Sequence, residues 1–539
     1  MKALHHRGGI ENHPAITSMR SDMEAPQEKV VHAAEDMVAE GAPVFAHGAA
    51  PAIGDDGEPD TIDPADGEVF DVIVVGGGPT GENLADRAHA GGLSVIVVEG
   101  ELVGGECSYW ACMPSKALLR PIAAIADARR VDGAKQAATG NLDVEAILAR
   151  RDEFTSNWKD DGQIEWLEKA GLCFARGHGR LDGERRVVVR TPEGTDRVLT
   201  ARHAVALCTG TQAAVPDLPG VAEAKVWTSR EATSAKQAPG RLAVVGGGVV
   251  AVEMATAWRA LGSEVTMLVR DEKLLGGMEP FVGEIVTETL AEQGVDVRFG
   301  ESATAVNRHD DGTVELTLAG GGTLACDEVL FATGRRPATA DLGLDSIGLK
   351  PGGWLAVDDT GLVDGVGGEW LYAAGDVNHR ALLTHQGKYQ GRIFGGVIAD
   401  RAFGRALDTA PWGRSVATAD VHAVTQVVFS DPEAAAAGIT LRQAQDQGLR
   451  VRAVDFDLGS VAGAVLYADG YRGKARAVVD LDREVLLGVT FVGPGVAELV
   501  HSAAMAVAAQ VPLDRLWHVV PAYPTIGEVW LRLLETYRG

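Results

Sequence analysis

Two stretches of this chain are written to the same plan, and that duplication limits the fold more than any other feature. Residues 69–75 (VFDVIVV) form an apolar run, and Gly76, Gly78 and Gly81 follow in GxGxxG spacing. A helical pattern then reaches Ala90, and a second apolar run at 93–98 ends on Glu99. Strand, glycine turn, helix, strand and closing acid together form a dinucleotide-binding unit. The glycines let the backbone approach a pyrophosphate at a helix N-terminus, where N–H groups and the helix dipole favour anions, and the acid accepts from a ribose. Residues 241–270 repeat the design with RLAVV, Gly246, Gly248, Ala251 in place of a third glycine, a helix ending near Leu261 and Gly262, and the strand EVTMLVR. A repeat of this kind implies a second dinucleotide site. That second unit closes on Arg270 where the first has Glu99. A carboxylate there would repel a 2′-phosphate, whereas a guanidinium would chelate it, so NADPH is favoured over NADH, with NADH left open.

Between the two units lies GGECSYWACMPSK, residues 104–116. Cys107 and Cys112 are five positions apart, about 140° of rotation on an ideal helix. A bond between them requires a distorted turn, and distortion makes a disulfide easier to reduce. Gly104 and Gly105 allow close approach to a bound ring. Lys116, one turn beyond Cys112, favours a thiolate. A structural disulfide is disfavoured because the start, MKALHHRGGIENH, lacks the apolar segment of a secretory signal, which makes the cytoplasm the default compartment. A metal site needs more ligands at short spacing, and none is expected. Cys173, Cys208 and Cys326 fall singly in strand-like apolar runs and read as small buried hydrophobes. The first nucleotide site is assigned to FAD, because the redox cysteines follow it directly.

At 539 residues the chain exceeds one ordinary core and calls for several domains. Its net charge of −26 argues against nucleic acid and anionic membrane surfaces as partners. No uncharged apolar run approaches the roughly eighteen residues of a membrane span. Small-molecule partners are expected. Residues 1–68 are rich in Ala, Gly, Pro and acids, and 54–68 carry seven acids and no base, so this extension is expected to be disordered. Residues 27–39 within it read as one short amphipathic helix, and His5, His6 and His13 as part of a solvated tail.

The cysteine segment and the flanking units resemble the class I flavin-dependent pyridine nucleotide-disulfide oxidoreductases: glutathione reductase, dihydrolipoamide dehydrogenase, mercuric reductase and their relatives. The resemblance runs over roughly residues 69–539. It implies an α/β fold with two Rossmann-like dinucleotide-binding domains, for FAD and NAD(P)H, plus an α+β C-terminal dimerisation domain. The implied division is an extension at 1–68, the FAD domain at 69–225 and 346–418, the NAD(P)H domain at 226–345 and the interface domain at 419–539. Gly177, His178 and Gly179 would form a turn beside the adenine. Residues 203–210 (HAVALCTG) resemble the strand ending in Ala-Thr-Gly and bring Thr209 and Gly210 to the flavin. Residues 328–337 (EVLFATGRRP), with Gly334, resemble the return crossing between domains, and in LYAAGD (371–376) Asp376 would accept from the ribityl chain. Residues 381–394 read as a helix whose N-terminus faces the flavin, with His385 where relatives commonly have Pro.

By the same resemblance Cys112 is the flavin-proximal thiolate, Cys107 the interchange thiol, and Glu253 the acid that pairs with Lys116. The last domain implies a homodimer in which one subunit completes its partner's site. The usual C-terminal signature is His-Pro-Thr-x-x-Glu, and here residues 523–528 read YPTIGE, so Tyr523 stands in the histidine position and Glu528 keeps the acid. A phenol is a proton donor rather than a base at neutral pH. Loss of an imidazole disfavours a dithiol substrate that must be deprotonated, since such catalysis is worth roughly 10²–10⁴ in rate. Nearby His518 reads as packing. The reading is an NADPH-dependent reductase of a small disulfide or other electrophilic acceptor, with Tyr523 protonating the leaving group and Glu528 orienting it. Mercuric-ion reductase, dihydrolipoamide dehydrogenase and diaphorase or quinone reductase activities are the alternatives. The chain ends TYRG without the paired cysteines mercuric reductases carry there. Tyr109 and Trp110, between the cysteines, either shape a substrate mouth or pack inward.

Overall fold

The computed structural model describes residues 68–539. The expected helix at 27–39 and the histidines at 5, 6 and 13 lie outside the described residues. Strands β1 (Glu68–Val75), β2 (Val95–Glu99), β3 (Cys173–Arg176), β4 (His178–Leu181), β5 (Arg186–Arg190) and β6 (Asp196–Leu207) form one sheet in the order β3-β2-β1-β6-β5-β4. β1 lies parallel to both β2 and β6, with Val72 opposite Val95 and Ala204. The Val and Ile runs of these strands are buried on both faces, which is why they read as continuous apolar stretches rather than alternating ones.

The chain leaves this sheet through β7 (Thr211–Ala213) and builds a second parallel sheet from β8 (Arg241–Val245), β9 (Glu264–Val269) and β10 (Asp296–Phe299). A three-stranded antiparallel sheet of β11 (Ala303–Arg308), β12 (Val314–Leu318) and β13 (Thr323–Cys326) follows, and β14 (Glu328–Phe331) then closes the second parallel sheet beside β8. β15 (Arg335–Pro337) pairs with β7, and β16 (Leu371–Ala373) rejoins the first sheet alongside β6. The last layer is antiparallel: β17 (Thr425–Val428), β18 (Ala434–Gly438), β19 (Val451–Asp457), β20 (Lys474–Asp480) and β21 (Val485–Val492), ordered β17-β18-β21-β20-β19. Among the described residues no helix is long and apolar enough to cross a membrane.

The helix expected at 381–394 begins later and runs further, over Thr384–Ala402. Leu383, extended, precedes the first helical residue, and its N–H bonds the Ala381 carbonyl at 3.0 Å, so the chain enters through a tight turn. Gly387, Gly391 and Gly395 do not end the helix. They recur every fourth residue and form one face. On that face a Cβ would lie 2.2 Å from Thr80 Oγ1, 2.6 Å from the Thr80 carbonyl and 2.5 Å from the Leu84 carbonyl. The stripe lets this helix pack backbone to backbone on the glycine-loop helix Pro79–Ala90. A read of helix breakers misses such packing, because the glycines are needed by a neighbour distant in sequence.

Three further expectations are corrected. Cys173 is exposed, because β3 is the edge of its sheet, whereas Cys208 and Cys326 are buried. His518 is exposed and is not a packing residue. Gly177 alone joins β3 to β4, and His178 and Gly179 already belong to β4: a Cβ on Gly179 would meet Val98 and Val75 at 3.0 and 3.1 Å, and the His178 ring bonds the Asp341 carbonyl at 2.9 Å.

Candidate active site

The first glycine loop leaves no room for side chains. A Cβ on Gly81 would sit 1.9 Å from the Gly76 carbonyl oxygen, and one on Gly76, at φ +109°, would sit 2.4 Å from the Cys208 carbonyl. Gly78 caps the following helix without a side-chain hydrogen bond, and Pro79 at the first turn has no N–H to place. The remaining first-turn N–H groups are therefore directed at whatever occupies the loop. Glu99 accepts from the Gly77 N–H at 2.8 Å and the Glu101 N–H at 2.7 Å, while burial raises its pKa. Asp376, its pKa also raised by burial, accepts from Thr211 Oγ1 at 2.8 Å, with Arg335 Nε 4.0 Å away. The Thr209 hydroxyl, two residues before Thr211, is buried with no partner among the described residues. An uncapped helix start, a side-chain-free loop and an orphaned buried hydroxyl fit a bound FAD. Gly210 follows in the left-handed region, as does Gly334, whose carbonyl accepts the Ala214 N–H at 2.9 Å across the β7–β15 pair.

The redox segment starts on that loop. A Cβ on Gly105 would approach Gly78 Cα to 2.9 Å. The short helix Gly105–Tyr109 carries Cys107, the chain breaks at Trp110 and Ala111, and Cys112 opens the helix Cys112–Arg129. The break supplies the distorted turn that the spacing demanded, and Cys107 and Cys112 face each other across it as free thiols. The Cys112 thiol is lowered to about 6, chiefly by a hydrogen bond from Cys107, then by Thr384 and the charge of Lys116. Thr384 Oγ1 lies 3.3 Å from its Sγ. Cys107 is pushed well above the ordinary thiol range by its bond to Cys112, by burial and by the Cys112 charge. Cys112 is the lowered thiol of the pair and stands at a helix N-terminus, which favours a thiolate.

Lys116 Nζ meets Glu253 Oε2 at 2.8 Å. Glu253, 3 % exposed, also accepts the Phe429 N–H at 3.0 Å, and the ammonium sits 4.9 Å from the Phe429 ring centre. Phe429 comes from the last layer, so three segments meet at this ion pair. Tyr109 and Trp110 pack inward: Tyr109 is buried, its carbonyl accepts from Trp158 Nε1 at 3.1 Å, and the Arg230 guanidinium lies 4.2 Å over the Trp110 ring. Arg230 also bridges Glu106 and Glu101. Cys208 and Cys326 are inert, their thiols pushed up to about 12 and about 11 by burial.

The second loop repeats the turn but not the surroundings. Gly246, at φ +134°, would place a Cβ 2.3 Å from the Ala332 carbonyl, whereas Gly248 faces open space. Arg270 is 87 % exposed, with Asp271 3.7 Å away. Tyr523 is 76 % exposed and makes no side-chain hydrogen bond among the described residues. Among the described residues Tyr523 and Glu528 share no hydrogen bond. Buried Glu528 reaches Arg532, one turn on, at 3.3 Å, and its second oxygen has no partner among the described residues. Thr384, Phe429 and Arg230 escaped sequence reading, and Arg335 was quoted only as part of the return crossing at 328–337; of the first three, Thr384, at the start of a helix expected near the flavin, carried a signal.

The chain matches the model of the pyridine nucleotide-disulphide oxidoreductases over residues 70–391 and that of their dimerisation domain over 424–533. It is 32 % identical over 468 residues to the mercuric reductase of Shigella flexneri, covering 85 % of this chain and 79 % of that one. It is 31 % identical over 472 residues to dihydrolipoyl dehydrogenase 3 of Pseudomonas aeruginosa, covering 86 % and 96 %. In structure it resembles the HOCl-induced flavoprotein disulfide reductase RclA of Escherichia coli, with a TM-score of 0.73 at 23 % identity over 87 % of this chain and 99 % of that one.

The chain belongs to the pyridine nucleotide-disulphide oxidoreductase family. It is a flavoprotein enzyme, FAD-dependent and using NAD(P)H, with a disulfide redox centre, and its C-terminal layer is the family's dimerisation domain, which supports a homodimer.

Proposed function

We propose that this enzyme uses NADPH to reduce a small disulfide or a comparable thiol-reactive acceptor through Cys107 and Cys112. FAD, held by the loop of Gly76, Gly78 and Gly81 with Glu99 and Asp376, supplies the passage of an electron pair from the nicotinamide to sulfur. In the reduced pair Cys112 keeps the negative charge and Cys107 keeps the proton. Cys107 attacks one sulfur of the acceptor as its proton passes along the Cys107–Cys112 hydrogen bond to the Cys112 thiolate. The acceptor's S–S bond breaks, and the first thiolate leaves with a proton donated by Tyr523 of the partner subunit. The Tyr523 phenolate left by that protonation takes the proton back from Cys112. Cys112 then attacks the mixed disulfide, releasing the second thiolate and restoring the Cys107–Cys112 bond, so two electrons leave the dithiol for each disulfide reduced. Lys116, fixed by Glu253, keeps a cation beside Cys112 throughout. Arg270 is the group that would take a 2′-phosphate.

The observation that supports this division of labour most directly is the splitting of the two thiols, with Cys112 lowered to about 6 and Cys107 raised. Mercuric ion is the second reading, since a soft thiophilic ion needs no imidazole and a relative of comparable identity is a mercuric reductase. Anaerobic titration with NADPH is expected to develop a thiolate-to-flavin charge-transfer band that Cys112→Ser abolishes. A band that survives the substitution overturns the assignment. NADPH consumption against disulfides, lipoamide, mercuric ion and quinones separates the acceptors, and full turnover of Cys107→Ser with quinones alone identifies a diaphorase.

A further inference from the structure

On the first sheet, at the end away from the glycine loop, the turn before β5, the middle of β6, the start of β16 and the last turn of the helix Thr384–Ala402 enclose a groove of about 180 Å³. Arg185, Arg202, His203 and Arg401 line it, against a single lining carboxylate, Glu369. Such a concentration of cations is unexpected in a chain of net charge −26.

Arg401 is held in place by neutral partners, donating to Tyr372 Oη at 2.9 Å and Thr360 Oγ1 at 3.2 Å, while its nearest carboxylate, Glu369, is 3.9 Å away and 72 % exposed. Arg202 bonds Asp71 at 3.1 Å, with His203 3.9 Å from the same oxygen. Among the described residues Arg185 reaches only Glu184, at 3.7 Å, and the Gly368 carbonyl, at 3.5 Å, and its buried Nε has no partner. Buried donors are normally matched, so an orphan beside a cationic groove marks an absent acceptor. Arg185 and Glu369 also both take left-handed backbone, φ 56° and 49°, which side chains adopt only where their surroundings impose it.

We propose that this groove is a second ligand site for a small polyphosphate anion. Guanidinium forks from three separate segments suit the several oxygens of phosphoryl groups. The helix places Arg401 seventeen residues from Thr384, roughly 25 Å at 1.5 Å per residue, so the groove is remote from the dithiol.

The test is calorimetric titration of pyrophosphate into the FAD-loaded enzyme with excess NADP⁺ present to fill the second glycine loop. One site per chain is expected. The double variant Arg185→Gln/Arg202→Gln should bind roughly tenfold more weakly, the loss of charge-assisted hydrogen bonds, with NADPH-to-disulfide turnover unchanged. Glu369→Gln, which removes the opposing carboxylate, should bind more tightly, a gain that damage to the fold does not produce. Absence of saturable binding at millimolar pyrophosphate, or equal affinity in the double variant and the parent, overturns the site. Equal binding of citrate overturns its assignment to phosphoryl groups.

Discussion

The two glycine loops share a plan but not their surroundings, and the difference lies in what each packs against. In the first, Glu99 is pinned by two backbone N–H groups, and the redox segment packs so closely on the loop that a Cβ on Gly105 would lie 2.9 Å from Gly78 Cα. That loop is walled by other chain and suits a ligand that stays. In the second, Gly248 meets nothing within 4 Å and Arg270 points into solvent. That loop suits a ligand that comes and goes. The same strand, turn and helix thus serve retention or exchange according to the neighbours the tertiary fold supplies.

The sharpest way to break the comparison is to fill each loop in turn. Gly76→Val, which drives a Cβ into the Cys208 carbonyl, is expected to yield protein without flavin absorbance. Gly246→Val should keep the flavin and lose its reduction by NADPH. Flavin loss in the second variant as well would show that the loops are not independent.

A smaller effect is expected at the ion pair joining the two units. Glu253→Gln leaves the half-exposed Lys116 without its partner and is expected to cost about 1–3 kcal/mol in denaturant unfolding, below the loss for a fully buried pair. At the second loop alone, Arg270→Ala is expected to raise KM for NADPH about tenfold while leaving KM for NADH in place, the worth of one guanidinium–phosphate contact. An equal change with both nucleotides would remove Arg270 from the specificity argument.

The finest test concerns pH. With Cys112 lowered to about 6, its thiolate band in the reduced enzyme is expected to persist at higher pH and fade as pH drops through about 6. The lowered thiol stabilises the reduced fold most above the ordinary thiol range, and that contribution falls away as pH drops through about 6. Thr384→Val removes one hydrogen bond to the sulfur and should move the midpoint upward. No movement would mean that Thr384 does not stabilise the thiolate.

What could be read from the chain alone was whatever is encoded within a few tens of residues. The βαβ units, the close-packed glycines, the strained cysteine turn and the contrast of Glu99 with Arg270 all express local sterics, local periodicity or the charge of one side chain. The pairing of Lys116 with Glu253 was legible only through family resemblance, since the partners stand 137 residues apart. The hydroxyl of Thr384 on Cys112 spans 272 residues, the glycine stripe is explained only by the helix beneath it, and the exposure of Cys173 follows from the edge position of β3. Those features were decided by the tertiary structure, because a contact between distant segments depends on how whole layers pack, and no local pattern of residues carries that information.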